Sequence, residues 1–255
     1  MKNNLSYIIC LFIFVILFFH NKISANEISF STSEIIITDN GNTANAGPGS
    51  AYSEVDNIKI DGESFKFDKD NSILIANNAR TILSEKNIEL IADQLIYDQK
   101  VYTIKALGNV EINDLLNKIK FKSEEAIYNK NKRTITSNAK SSLSDKPGNN
   151  FITKQFIYTF DDNLIKIFKS KIIDIQNNVY NIENAFLNPI TNKLIGKDIL
   201  IDFDSLAENN EPRMYGKTIS SDKNKTVIEK GVFTTCKRND DCPPWEFLAK
   251  KITHD

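Results

Sequence analysis

Histidine is almost absent: the 255-residue chain has two, His20 and His254. A Ser-His-Asp or Cys-His enzyme needs an imidazole beside its nucleophile. Neither position suits that role, since His20 lies in an N-terminal apolar segment and His254 is the penultimate residue. Glycine (9) and proline (6) are also scarce, which excludes the glycine-rich nonads of calcium-binding β-helices. Neither charge sign dominates, because 32 Lys and Arg face 33 Asp and Glu, for a net −1. A nucleic-acid binder needs a clustered basic surface, so no nucleic-acid partner is expected. Apolar residues at 41% and charged residues at 25% are ordinary for a chain that buries a real core in one or two domains.

The N-terminus reads as an export signal. Lys2 precedes an apolar run from Leu5 to Phe19, broken only by Ser6, and small residues Ser24 and Ala25 follow. That is the layout of a cleavable signal peptide over residues 1–25. The run is short for a membrane span of about 20 residues; an uncleaved anchor is the alternative. Cys10 sits inside the run with no small-residue lipobox before it. Cleavage after Ala25 removes Lys2 and Lys22 and leaves 30 basic against 33 acidic residues. Two cysteines remain, Cys236 and Cys242, and in an oxidising compartment they are disulfide candidates whose connectivity is open.

Period-two alternation fills the rest of the chain. Tyr102, Ile104, Ala106, Gly108, Val110 and Ile112 share one parity, as do Ile88, Leu90 and Ala92, and Ile119 and Phe121. Such residues lie on one face of a strand. Asp61-Gly62, Asp68-Lys69-Asp70-Asn71, Asn129-Lys130-Asn131 and Asp161-Asp162-Asn163 read as turns. A helix over 76–86 is the only helical expectation, and Asn40–Ser50 reads as a flexible linker or loop. The tetrads Phe65-Lys-Phe67-Asp68, Leu95-Ile-Tyr97-Asp98, Ala126-Ile-Tyr128-Asn129, Phe156-Ile-Tyr158-Thr159 and Phe186-Leu-Asn188-Pro189 line up. Positions 67, 97, 128, 158 and 188 are 30, 31, 30 and 30 residues apart. Self-similarity at that period signals a stack in which each module completes its neighbour's core. The expected fold is all-β, an elongated jelly-roll-like stack of antiparallel strands built from repeats of roughly 30 residues.

Such a stack has an apolar interior that is either a closed core or, if the sheets splay, a groove for acyl chains. Alternation alone leaves both open. The groove candidates are Ile88, Leu90, Ile104, Val110, Ile112, Ile119 and Phe121. Lys118, Lys120 and Lys122 share the opposite, outward parity. A metal site at Cys236, Asp240, Asp241, Cys242 and His254 has the wrong cysteine spacing for common zinc motifs. Acidic pairs such as Asp161-Asp162, Asp202/Asp204 and Glu124-Glu125 fall in turns or on solvent faces, so no catalysis and no cofactor are expected.

Residues 87–112 resemble the OstA-like repeat shared by periplasmic lipopolysaccharide-transport proteins: Ala92-Asp93, Leu95, Tyr97-Asp98, Ala106 and Gly108-Asn109-Val110 match it position by position. Thr234-Thr235-Cys236, Cys242-Pro243-Pro244-Trp245-Glu246-Phe247-Leu248-Ala249 and Ile252-Thr253-His254-Asp255 resemble the segment that joins periplasmic domain to barrel in the lipopolysaccharide-assembly (LptD) family. Together the similarity covers about residues 50 to 255. It implies an N-terminal edge strand and linker (26–50), an OstA-like β-repeat domain (51–230) and a cysteine-containing connector (231–255). Members of that family continue into an outer-membrane barrel, so the chain reads as an N-terminal portion. The implied location is the periplasm, associated with the outer membrane.

The implied ligand is lipopolysaccharide, its acyl chains held in an apolar groove. The implied partners are a periplasmic bridge protein docking by edge-strand pairing, with Glu34–Thr38 as the candidate edge, and an outer-membrane lipoprotein if a barrel follows. Two alternatives stand: a bridge or inner-membrane-anchored transport component without a barrel, and an exported structural β-solenoid with a dry core. Trp245 is expected to anchor its loop, to sit near a membrane surface, or simply to pack.

Overall fold

The computed structural model describes residues 28–84, 87–146, 148–204, 211–222, 224–238 and 245–254. The signal-peptide reading, Cys10, Asp240, Asp241 and Cys242 lie outside them. The described residues form one antiparallel sheet of twenty strands. The first six are short: β1 (Ile28–Thr32), β2 (Ile35–Thr38), β3 (Thr43–Ala46), β4 (Gly49–Ser53), β5 (Ile58–Gly62) and β6 (Ser64–Asp68). Four long strands follow: β7 (Ile73–Leu83), β8 (Ile88–Asp98), β9 (Thr103–Asp114) and β10 (Ile119–Asn129). Then come the short β11 (Thr134–Ser137), β12 (Ser141–Ser144), β13 (Asn150–Thr153) and β14 (Gln155–Thr159). The chain ends with β15 (Leu164–Ile173), β16 (Val179–Asn188), β17 (Lys193–Asp202), β18 (Arg213–Ser221), β19 (Thr226–Thr234) and β20 (Phe247–His254).

The sheet is folded lengthwise into two facing arms. Each long strand crosses the fold, and each short pair splits across it. Thus β10 pairs with β12 through Lys120–Lys122 and with β11 through Ile127–Asn129. The strand ladder slips at the fold, between Ile91 and Gln94 and between Ser123 and Glu125. Left-handed backbone at Asn78, Asn109, Lys169, Asp198 and Lys230 marks the same line. One arm runs β1-β4-β5, on through the long strands, to β12-β13 and beyond; the other begins β2-β3-β6 and passes through β11-β14. The tips of the arms are two rims of tight turns. One rim carries left-handed residues at Ser72, Tyr102, Arg133, Asn163 and Asn192, the other at Asn57, Asn87, Lys118, Gly148 and Asn177. Both series step by 30, 31, 30 and 29 residues, so the sequence repeat is the spacing of the turns, with its last copy one residue earlier than the tetrads suggest: Leu187, not Asn188, aligns with Tyr158.

Asx turns build both rims. The Asp68, Asp98, Asn129 and Asn188 side chains accept backbone N–H bonds two or three residues on, and so do Asp114, Asp145 and Asp174 opposite. That is the local bonding that Asp and Asn offer a turn. The inward parity of the strands forms one contiguous core from Ala46 to Ile228. Phe121 lies 4.7 Å from Phe156 and 6.0 Å from Tyr158 between ring centroids, and Tyr158 meets Phe160 edge-on at 5.2 Å. Offset and edge contacts of this kind are the favoured aromatic geometries.

Three expectations are corrected. The helix over 76–86 is strand β7 up to Leu83, because its alternate residues Leu74, Ala76, Thr81 and Leu83 bury inward and both flanks pair, with β6 and β8. The Asn40–Ser50 linker is a 3-10 turn (Asp39–Gly41) followed by β3 and the start of β4. Its small residues fit against aromatic partners, Ala44 opposite Phe67 and Ala46 opposite Phe65. Asp61-Gly62 is not a turn but the end of β5 at the fold line. The strands also run across positions 50 and 230, within β4 and β19.

Candidate functional site

The seven groove candidates occupy the interior of the first half of the stack. Ile88 and Leu90 on β8, Val110 and Ile112 on β9, and Ile119 and Phe121 on β10 form neighbouring rows of one arm, with Leu90 opposite Ile112 and Ile112 opposite Phe121. Ile104 lies on the other arm, between Tyr97 and Tyr128. All seven are 0–1% exposed. Here the two arms are in contact and the interior is a packed core.

The reason is at the rims. Asp56 and Asp114 on one rim are buried carboxylates. Tyr97, from the opposite arm, donates its hydroxyl to Asp56. Lys130, in a turn of the opposite rim, reaches the Asp56 carboxylate at 3.1 Å and its carbonyl oxygen at 3.0 Å. Tyr158 donates to Asp114 Oδ2 at 2.6 Å, and Asn117 Nδ2 donates to the same oxygen at 2.8 Å. These bonds join residues 41, 74 and 44 positions apart and close the seam between the arm tips. Burial, and then the neighbouring carboxylate, hold both tyrosine hydroxyls well above their ordinary pKa. They are donors throughout the physiological range.

In the second half of the stack the third tyrosine–aspartate pair does not cross. Tyr180 donates to Asp174 Oδ2 at 2.9 Å, only six residues away and on the same rim. Beside it the rims stand apart around a cleft of 380 Å³. Phe151, Ile172 and Tyr180 line it from one arm, and Leu187, Leu194 and Ile219 from the other. Asp145, Asn149, Asn192, Ser221, Asp222 and Thr226 ring its mouth. An apolar floor inside a polar mouth suits a ligand with an apolar tail and a hydrated head. Strand alternation identified the interior parity but not this cleft. Its signal in the sequence is a change of side chain: the inward rim position that holds Tyr97 and Tyr158 holds Leu187 here, which has no hydroxyl to reach across the seam.

The sheet edges lie at the two ends of the stack. At one end, among the described residues, β1 pairs only with β4 and β2 only with β3, which leaves each without a strand partner on one side. Ile35, Ile36 and Ile37 on β2 are 47%, 53% and 63% exposed. At the other end, among the described residues, β20 pairs only with β19, and Phe247 and Leu248 are 69% and 76% exposed. Trp245 packs on Phe233 with ring centroids 6.1 Å apart. Cys236 is buried, and its carbonyl accepts from the buried Arg213. Its proposed mate Cys242 lies outside the described residues. Lys120 and Lys122 point outward, with Lys122 bonded to Glu111 at 2.7 Å, whereas Lys118 is a turn residue. Among the described residues no group of His, Cys, Asp and Glu suits a metal ion. No family model matches the chain, and no curated protein matches it.

Proposed function

We propose that the chain is the periplasmic portion of a lipopolysaccharide-assembly protein of the LptD type, and that it carries acyl chains between its two arms toward the outer membrane. The observation that carries this reading is the cleft between the rims, floored by Phe151, Ile172, Leu187, Leu194 and Ile219. Burial of an acyl chain there gains about 0.8 kcal/mol per CH₂ and is not directional. A tail held that way slides as well as it binds, while phosphates and sugars stay in water at the polar mouth. The unpaired edges of β1 and β2 suit a bridge protein arriving by strand addition. The second side of β20 suits continuation of the sheet, with an outer-membrane lipoprotein as a partner of a barrel. This reading assigns the chain no catalytic role.

A second reading, an exported structural stack with a dry core, draws support from the sealed interior of β8–β10. A photo-crosslinking amino acid placed at Leu194, at Ile104 and at the outward Lys105 separates the two. Transport predicts lipopolysaccharide adducts at Leu194 and none at Lys105, with adducts at Ile104 only when the seam is loosened by Tyr97→Phe. The structural reading predicts none at any position.

A further inference from the structure

Along the solvent side of the fold line, strands β13 to β19 and the preceding Asn138–Lys140 corner leave a concave cavity of 1210 Å³, against 380 Å³ for the cleft. Six lysines line it and only two carboxylates, Glu183 and Asp198. Lys217 is paired with Asp198. Among the described residues Lys140, Lys154, Lys169, Lys171 and Lys230 have no ion-pair partner. Cations gathered in a concavity repel one another and concentrate anions from solution.

Lys169 and Lys171 stand on the exposed face of β15, and Ser170 between them turns the other way, paired with the core residue Ile182. The ladder defect accounts for the site's shape: Lys169 has left-handed backbone, the register passes from Phe168 opposite Asn184 to Ser170 opposite Ile182, and Lys169 itself is left unpaired. Both lysines thus line the cavity from the exposed face of the strand. Lys230 repeats the left-handed kink on β19.

We infer that this cavity is a binding site for a phosphoryl-bearing anion, held by Lys154, Lys169, Lys171 and Lys230. Lysine ammonium groups are compact point charges suited to that task. The site is on the opposite side of the stack from the cleft, and its assignment does not depend on lipid transport. Free phosphate compounds and phospholipid headgroups share this chemistry.

The test titrates the full chain with inorganic pyrophosphate by calorimetry. In parallel it measures binding to vesicles of phosphatidic acid against phosphatidylcholine. The double variant Lys169→Glu/Lys171→Glu is expected to weaken binding about tenfold or more, and Lys154→Gln by several-fold. Lys154 is exposed, so the Tm of Lys154→Gln is expected to match the parent's, which separates loss of binding from loss of fold. Lys66→Glu/Lys105→Glu, on the outward face of the first half, is the charge-matched control and is expected to bind as the parent does. Binding of pyrophosphate alone supports a soluble ligand, and binding of phosphatidic acid vesicles supports a headgroup. Absence of binding to both, or equal loss in the control, overturns the inference.

Discussion

Asp114 is a carboxylate with almost no water of its own, and Tyr158 is the group that makes its burial tolerable. Removing that hydroxyl leaves a buried anion short of a donor. Hydrogen bonds to charged groups contribute about 1.5–3 kcal/mol, so Tyr158→Phe is expected to lower stability by about that much in urea unfolding. Tyr97→Phe is expected to cost less, because Lys130 remains on Asp56. The same bonds set a pH dependence. Tyr97, Tyr158 and Tyr180 all have hydroxyls raised above the ordinary 10.0, chiefly by burial. Below pH 10 both folded and unfolded chains keep these protons and the contribution is complete. Above it the unfolded chain releases them while the folded chain does not, so stability falls as pH rises. Thermal unfolding between pH 9 and about 11 checks this, and Tyr158→Phe should flatten the decline.

Two further residues make opposite predictions. Gly108 has φ +73, and a Cβ there would lie 2.4 Å from Asp93 Oδ2. Gly108→Ala is therefore expected to destabilise by about 1–2 kcal/mol. Gln99 is buried with neither side-chain amide atom hydrogen-bonded. Gln99→Met should raise the Tm, since it removes an unsatisfied group at similar size. The Gly108-Asn109 step was legible in the sequence as a repeat signature. The seam bonds were not, because they join residues that no local pattern connects.

Among the elements, the long strands could be read from alternation wherever both faces differ in polarity, as in β8 to β10. The two failures have different causes. In 76–86 the pair Asn77-Asn78 interrupts the alternation at the fold line, so β7 loses its period in the middle of a strand. In 43–53 the inward residues are Thr, Ala and Ser, too small to register as apolar yet matched to the phenylalanines opposite. Edge β2 is the reverse case: it was legible as a strand, but its three consecutive exposed isoleucines follow no parity at all. An edge of that kind templates association. Ile36→Lys is expected to leave the unfolding free energy within about 0.5 kcal/mol of the parent's. It should also shift any concentration-dependent oligomer toward monomer in analytical ultracentrifugation.

For the molecule as a whole, the repeat was the most informative single feature of the sequence, because each module's turns recur at the rims and each module's core closes on its neighbour. Whether the arms meet or part was not encoded in alternation. It depends on which rim a tyrosine's carboxylate partner occupies, across the seam for Tyr97 and Tyr158 and on its own side for Tyr180.

The even stepping of the rim turns has a further consequence. One module adds two strands to each arm, which is about 10 Å of length and a rotation of about 45°. A stack of this kind is a graduated spacer: duplicating or deleting one module would change the span between its two terminal edges by a fixed increment and re-aim the far edge by a fixed angle. Evolution can thus fit the same pair of ends to a wider or narrower gap without redesigning either.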